Sequence, residues 1–378
     1  MTQKLVSINT ISKQSNLPLI EFVESWTEDF GARSLRVESD DGKKSNLVLS
    51  IGPEEAGGII LSGHTDVVPV EGQDWSQDPF APWIDNDKLY GRGTCDMKGF
   101  IATVLSAVPQ MSKLKRPLHI ALSYDEEVGC LGAPRMIEKI REKLPPVSAV
   151  VIGEPTSMAS VCANKGIAVL KTRVEGFETH SSQTHRGVSA VMIAARLVNF
   201  LDTLAEQLKT ECIEDTGFVP PYSTIHVGVI HGGTAVNIIS RHCEFTWDMR
   251  MVPSENIDDV LEKFQSFITR KILPEMRRRS PAATIETNLI ARVPGFEVNP
   301  ESPAVELVQR LTGITSLRKV SYATEAGQFQ NSDIPSVVCG PGSIDQAHQA
   351  DEYIALEQMH FGDALIRKII IEQQKDSA

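Results

Sequence analysis

His64, Asp66, Asp96, Glu126, Glu127, Glu154 and His348 are the side chains of this 378-residue chain best placed to hold a metal ion. They offer carboxylate oxygens and imidazole nitrogens, the donor set of zinc and similar first-row ions. Their positions share a pattern. GIILSG runs into His64 and Asp66, and the stretch 118–124 runs into Asp125, Glu126 and Glu127. VVIG runs into Glu154, and the stretch 337–342 runs into a loop carrying Asp345 and His348. In open α/β sheets, ligands gather beyond the carboxyl ends of the strands. Four such ends would converge at one edge, and Asp96, in GRGTCDMKG just before an apolar helix, can reach the same edge. One carboxylate shared between two ions would make a two-metal hydrolytic centre, with the ions ~3.5–4 Å apart.

Taken singly, each residue has a plainer reading. His64 alone is a satisfied loop histidine, Asp96 a helix cap, Glu126 and Glu127 solvated turn carboxylates. Glu154 before Pro155 is an exposed turn residue and His348 a surface histidine. It is the set, not any member, that points to metal chemistry.

The elements that must position these groups follow from periodicity. Helical spacing of apolar residues predicts helices over 19–30, 99–111 and 133–143, the last ended by Pro145 and Pro146. Strands are predicted over 46–51, 58–62, 118–123 and 149–152. This α/β alternation belongs to a mostly parallel sheet flanked by helices. The character then changes. Strands over 167–174, 224–230, 242–250 and 283–289, with helices over 188–208 and 257–272, describe an inserted α+β unit with an antiparallel sheet. After Pro294 the α/β style resumes, with helices over 303–312 and 355–372 and a strand over 336–339. The expected organisation is a catalytic domain over 1–171 and 292–378, interrupted by an inserted lid domain over 172–291.

Composition narrows the function. Lys plus Arg is 37 and Asp plus Glu is 49, a net charge of −12 with no basic run, which argues against a nucleic-acid partner. The six cysteines form no C-x-x-C pair, so a reducing compartment is expected. No signal peptide and no membrane span are read, and the cytoplasm is the expected setting. No GxxxxGK[ST] phosphate loop occurs.

The segments SGHTDVVPVEGQDWSQDPFAP, LYGRGTCDMKG, YDEEVG, IGEPT and the His348 loop, in that order, resemble the dinuclear metallohydrolase family that holds acetylornithine deacetylases, succinyl-diaminopimelate desuccinylases and aminoacylases. The resemblance spans essentially the whole chain. It implies two divalent ions, with zinc the first expectation and cobalt the alternative. His64 and Glu154 would hold one ion, His348 and Glu127 the other, and Asp96 both. Glu126 would be the general base, and Asp66 would orient His64 through its second ring nitrogen. The inserted domain of the family is a lid that mediates dimerisation, so a homodimer is expected.

The same resemblance extends to that insert. His180 in ETHSS matches a lid histidine that polarises the scissile carbonyl, from its own or the partner subunit. Asn237 in GGTAVN and Arg250 in DMR match substrate-binding positions, and an arginine suits a planar carboxylate. Without the family, Arg250 reads as a salt bridge at a strand end. His185, His226, His231 and His242 are weaker candidates, and His119, within a strand, reads as structural. YATEAG, with Thr324 and Glu325, resembles the acetylornithine deacetylase branch, and Glu325 would sit near a substrate ammonium or be an exposed loop acid. The expected activity is removal of the acetyl group from N2-acetyl-L-ornithine, giving L-ornithine and acetate in arginine synthesis. Alternatives are another N-acyl amino acid hydrolase, such as a desuccinylase, aminoacylase or dipeptidase, or a non-catalytic small-molecule binding protein on the same fold.

Overall fold

The structure is a computed structural model that describes residues 1–212 and 215–376. The chain forms two compact units. The first comprises Met1–Ala163, Phe296–Lys319 and Thr324–Ala378; the second comprises Asn164–Gly295 and Val320–Ala323. The crossings fall just past Ala163 and Gly295 rather than at 171 and 292. The first strand of the second unit already starts at Gly166.

The sheet of the first unit runs in the order Arg33–Glu38, Ser45–Ile51, Leu118–Ser123, Gly58–His64, Val147–Ile152, Ser336–Val338, Ser160–Asn164, Phe296–Glu297. Its centre is parallel: Gly58–His64 pairs in parallel with Leu118–Ser123 on one side and Val147–Ile152 on the other. Ser336–Val338 continues the parallel run on Val147–Ile152. The flanking strands pair antiparallel. Every residue of Gly58–His64 and Leu118–Ser123 is buried. That burial explains why these strands read as continuous apolar runs rather than alternating ones. Helices Leu17–Glu28, Lys98–Ala107, Pro303–Thr312 and Leu356–Gln373 contribute to the same apolar core, which includes Leu61, Phe100, Ile120, Val151 and Ile366. Where the chain leaves the Val147–Ile152 strand, a Cβ on Gly153 would stand 2.1 Å from the Phe100 ring, so only glycine fits there.

The second unit is an antiparallel sheet in the order Thr224–Gly232, His242–Met251, Gly166–Glu175, Thr284–Val293. Burial alternates along His242–Met251, the period-two signature of a sheet covered on one face. The 22-residue helix Ala190–Glu211 packs on this sheet through residues that include Leu197, Leu201 and Leu204. The helix expected to stop at 272 instead passes through a π-helical turn, Ile268–Ile272, into Leu273–Arg279. Pro274 lies in the first turn of that last helix, where its missing N–H is tolerated and a wider turn absorbs the ring. Three short strands, Trp83–Asp85, Lys88–Tyr90 and Tyr353–Ala355, make a small sheet in the first unit that the sequence did not announce.

Candidate metal centre

His64 is the last residue of the Gly58–His64 strand, and Glu126, Glu127, Glu154 and His348 lie just beyond three neighbouring parallel strands. Asp96 lies between two buried segments, ahead of helix Lys98–Ala107. The shared strand direction therefore delivers the histidines and glutamates to one edge, which Asp96 reaches from the turn before helix Lys98–Ala107. One ligand atom each of His64, Asp96 and Glu127 lies within 4.8 Å of the others.

Asp96 divides its carboxylate between the two histidines. His64 Nε2 is 2.9 Å from Asp96 Oδ1 and 3.8 Å from Glu154 Oε1. His348 Nε2 is 3.4 Å from Asp96 Oδ2 and 3.0 Å from Glu127 Oε1. The two halves differ in access: the His64 side chain is 1 % exposed and that of His348 49 %.

His64 is oriented by Asp66, though not by its carboxylate. His64 Nδ1 donates to the Asp66 backbone oxygen at 2.9 Å, which turns Nε2 toward Asp96; the nearer Asp66 carboxylate oxygen is 3.7 Å away. That carboxylate instead accepts from the backbone N–H groups of Glu126 at 3.0 Å and Glu127 at 3.3 Å, and from Ser12 Oγ at 2.7 Å. Asp66 thus seats the two glutamates. Glu126 Oε1 accepts from Cys130 Sγ–H at 3.2 Å, a contact that the sequence reading missed.

The electrostatics test whether metal ions fit. Burial, joined by repulsion from neighbouring carboxylates, pushes Glu126 up to about 8 and Glu127 up to about 7. Glu154 is pushed well up by burial and by Asp96. Hydrogen bonds to Asp96 and Glu127 lift His348 to about 10. Burial alone would lower His64, but its hydrogen bond to Asp96 and the nearby Glu154 raise it well above its usual value. Both histidines are drawn toward the cationic form and three carboxylates toward the neutral one. The cluster is short of positive charge, and two divalent cations match that deficit and the donor types.

Glu325, read from sequence beside a substrate ammonium or as an exposed loop acid, is 1 % exposed, which corrects the exposed-acid reading. Its Oε2 accepts from Ser62 Oγ at 3.3 Å, while Oε1 has no hydrogen-bond partner among the described residues. His119 is buried, with Nδ1 against Ser50 Oγ at 2.8 Å, and burial lowers it to about 4.

The other site candidates belong to the second unit. His180 is exposed and begins a short turn of helix, and its Nδ1 accepts from the Ser182 N–H at 3.2 Å. The Ser181 N–H donates to the Asn237 carbonyl at 3.0 Å, so backbone pairing holds His180 and Asn237 in adjacent turns. Arg250, near the end of His242–Met251, is 39 % exposed at the side chain and donates from Nε to Asp248 Oδ1 at 3.3 Å. His185, His226, His231 and His242 are exposed.

A largely parallel α/β unit that gathers two histidines and four carboxylates at one edge of its sheet has the architecture of a metallohydrolase. Residues 60–372 match Peptidase family M20/M25/M40, and the chain belongs to that family. It is a metal-dependent amide hydrolase. Acetylornithine deacetylases of Salmonella heidelberg and Salmonella typhimurium are each 38 % identical over 345 residues, covering 90 % of this chain and 87 % of theirs. Among solved structures, an M20 family metallo-carboxypeptidase from Sulfolobus solfataricus has a TM-score of 0.77 at 16 % identity, over 99 % of this chain and 98 % of that one. Aminopeptidase PepT from Bacillus cereus has a TM-score of 0.74 at 20 % identity, over 99 % and 97 %. A dinuclear metal-binding M20 peptidase from Bacillus subtilis has a TM-score of 0.65 at 15 % identity, over 98 % and 96 %. These structures share the fold.

Proposed function

We propose that this chain removes the acetyl group from N2-acetyl-L-ornithine, giving L-ornithine and acetate in arginine synthesis. The observation that carries the two-ion reading is Asp96, whose two oxygens face two different histidines. The substrate reading is supported by the 38 % identity to acetylornithine deacetylases over most of the chain. His64 and Glu154 would hold one ion, His348 and Glu127 the other, and Asp96 both. Zinc is the proposed ion, with cobalt the alternative for the same donors. When bound, the ions supply Lewis acidity and lower the pKa of water toward ~7.

The chain's own residues supply the proton chemistry. Glu126 takes a proton from the attacking water and delivers it to the leaving amine. Hydroxide thus ends on the acyl carbon and the proton on nitrogen as the C–N bond breaks. Cys130 engages Oε1 of Glu126, and Oε2 makes no hydrogen bond among the described residues, so Oε2 is the atom assigned to the proton. Because Ser182 donates to Nδ1 of His180, the neutral ring carries its proton on Nε2, and this N–H is the proposed donor to the carbonyl oxygen. Arg250 would hold the α-carboxylate, with Asn237 beside the substrate backbone. Glu325, almost wholly buried with Oε2 accepting from Ser62 Oγ, would lie near the substrate ammonium. The second unit is proposed to pair two copies of the chain, and the cytoplasm is the proposed location.

The test is acetate release by the purified, metal-supplied chain on N2-acetyl-L-ornithine, set beside N-succinyl-diaminopimelate and other N-acyl amino acids. The proposal expects the highest kcat/KM on N2-acetyl-L-ornithine; a higher value on another amide would reassign the substrate.

A further inference from the structure

His348 presents a problem of support. Its side chain is 49 % exposed, so packing does little to fix it. Its backbone sits at φ 61°, in the left-handed region that a residue with a Cβ occupies only when something holds it. What grips it is Gln73, from the loop that follows the His64 strand. Gln73 Nε2 donates to the His348 carbonyl oxygen at 2.8 Å.

The other end of the same amide is equally engaged. Gln73 Oε1 accepts from Trp75 Nε1 at 3.1 Å and from Arg92 Nη2. Arg92, 1 % exposed, lies over the Trp75 ring and donates from Nη1 to Glu352 Oε2 at 2.7 Å. Glu352, also 1 % exposed, accepts at Oε2 from the Gly93 N–H at 3.0 Å. Its Oε1 accepts from the N–H groups of Cys95 at 2.9 Å and Asp96 at 3.1 Å. An unbroken run of hydrogen bonds therefore leads from the backbone of Asp96, through Glu352, Arg92 and Gln73, to the backbone of His348. Buried polar groups joined in this way fix one another's geometry.

We infer that Gln73 is a positioning residue that sets His348 against Asp96, so that the affinity of the His348–Glu127 side for its ion depends on an amide that touches no ligand atom. The inference rests on the two-ion reading above. Partners that orient metal ligands typically contribute about 10–100-fold in metal affinity.

The experiment is calorimetric titration of the metal-stripped chain with Zn²⁺, for wild type, Gln73→Glu and Gln73→Ala. Gln73→Glu keeps the acceptor for Arg92 and Trp75 but turns an oxygen toward the His348 carbonyl; Gln73→Ala removes both contacts. Wild type should show two binding events. Each variant should weaken one event about 10–100-fold and leave the other within about two-fold; Gln73→Glu, which keeps the acceptor for Arg92 and Trp75, should do so with the thermal unfolding midpoint of the metal-stripped chain within about two degrees of wild type, whereas Gln73→Ala also strands Arg92 Nη2 and lowers it. Two events at wild-type affinity in both variants, or equal weakening of both events, would overturn the inference alone. A single event in wild type would overturn the two-ion reading and the inference with it.

Discussion

Replacing Glu352 by Gln tests how much of the first unit depends on one buried charge. The Glu352 and Arg92 side chains are 0 % and 1 % exposed, and their ion pair is 2.7 Å long. In Glu352→Gln one oxygen survives to accept from Cys95 and Asp96. The new NH2 group then faces two donors, Arg92 Nη1 and the Gly93 N–H. The guanidinium is left buried beside a donor, and breaking a buried pair on one side costs about 3–5 kcal/mol. The expected loss is of that size, in urea unfolding of the metal-stripped chain followed by circular dichroism. Two units can unfold separately, so the transition to compare is the one that the variant moves. Adding Arg92→Met removes the stranded charge, and the double variant should recover at least half of the loss. A single variant within about 1 kcal/mol of wild type, or a double variant no better than the single, would refute this account of the pair.

Further outcomes are expected at the site and in the sheet. Glu126→Gln should keep its metal content, measured by atomic absorption, while kcat falls about 10²–10⁴-fold, because it removes a base and no ligand. His180→Ala should lower kcat about 10²–10³-fold and Arg250→Ala should mainly raise KM, since the carbonyl gains charge during reaction and the carboxylate carries it throughout; full activity of His180→Ala would remove it from the mechanism. His119 stays neutral in the fold down to about 4 whereas an unfolded chain protonates it near 6.5, so its contribution is present above pH 6.5 and lost as pH falls toward 4. That loss is about 3 kcal/mol, and His119→Gln should show a correspondingly shallower decline in stability over this window; parallel pH curves would contradict it.

The legible parts of this chain were those written in local pattern. The strands Gly58–His64 and Leu118–Ser123 announce themselves as apolar runs because both faces are covered. His64, Glu126, Glu127 and Glu154 could be picked out as candidate ligands because each ends or closely follows such a run, whereas Asp96 and His348 lie in loops and were read through the motifs around them. The supports were not legible, since their partners lie far away in sequence. Gln73 meets His348 across 275 residues and Glu352 meets Cys95 across 257, and no periodicity carries that information. Asp66 was placed correctly near His64 but its chemistry was divided differently. The short distance along the chain favours its backbone oxygen for the imidazole, which frees the carboxylate for the amides of Glu126 and Glu127. Strand Ser160–Asn164, with its serine, cysteine and asparagine, has too little apolar signal to be read without its neighbours.

The order of strands in the first sheet has a consequence for how the protein is made. Ser336–Val338 lies between Val147–Ile152 and Ser160–Asn164, so a growing chain leaves a slot in the middle of its sheet until that late strand emerges. Nearly all of the second unit is translated in the interval, roughly ten to thirty seconds at about 5–20 residues per second. During that time His64, Asp96, Glu127 and Glu154 have been synthesised and His348 has not. The nascent chain therefore carries His64 and its neighbouring carboxylates without His348, and two strand edges that await their partner, the condition in which edge pairing competes with folding. His348 follows the Ser336–Val338 strand closely in the chain, so the segment that closes the slot and the last histidine of the candidate centre emerge together.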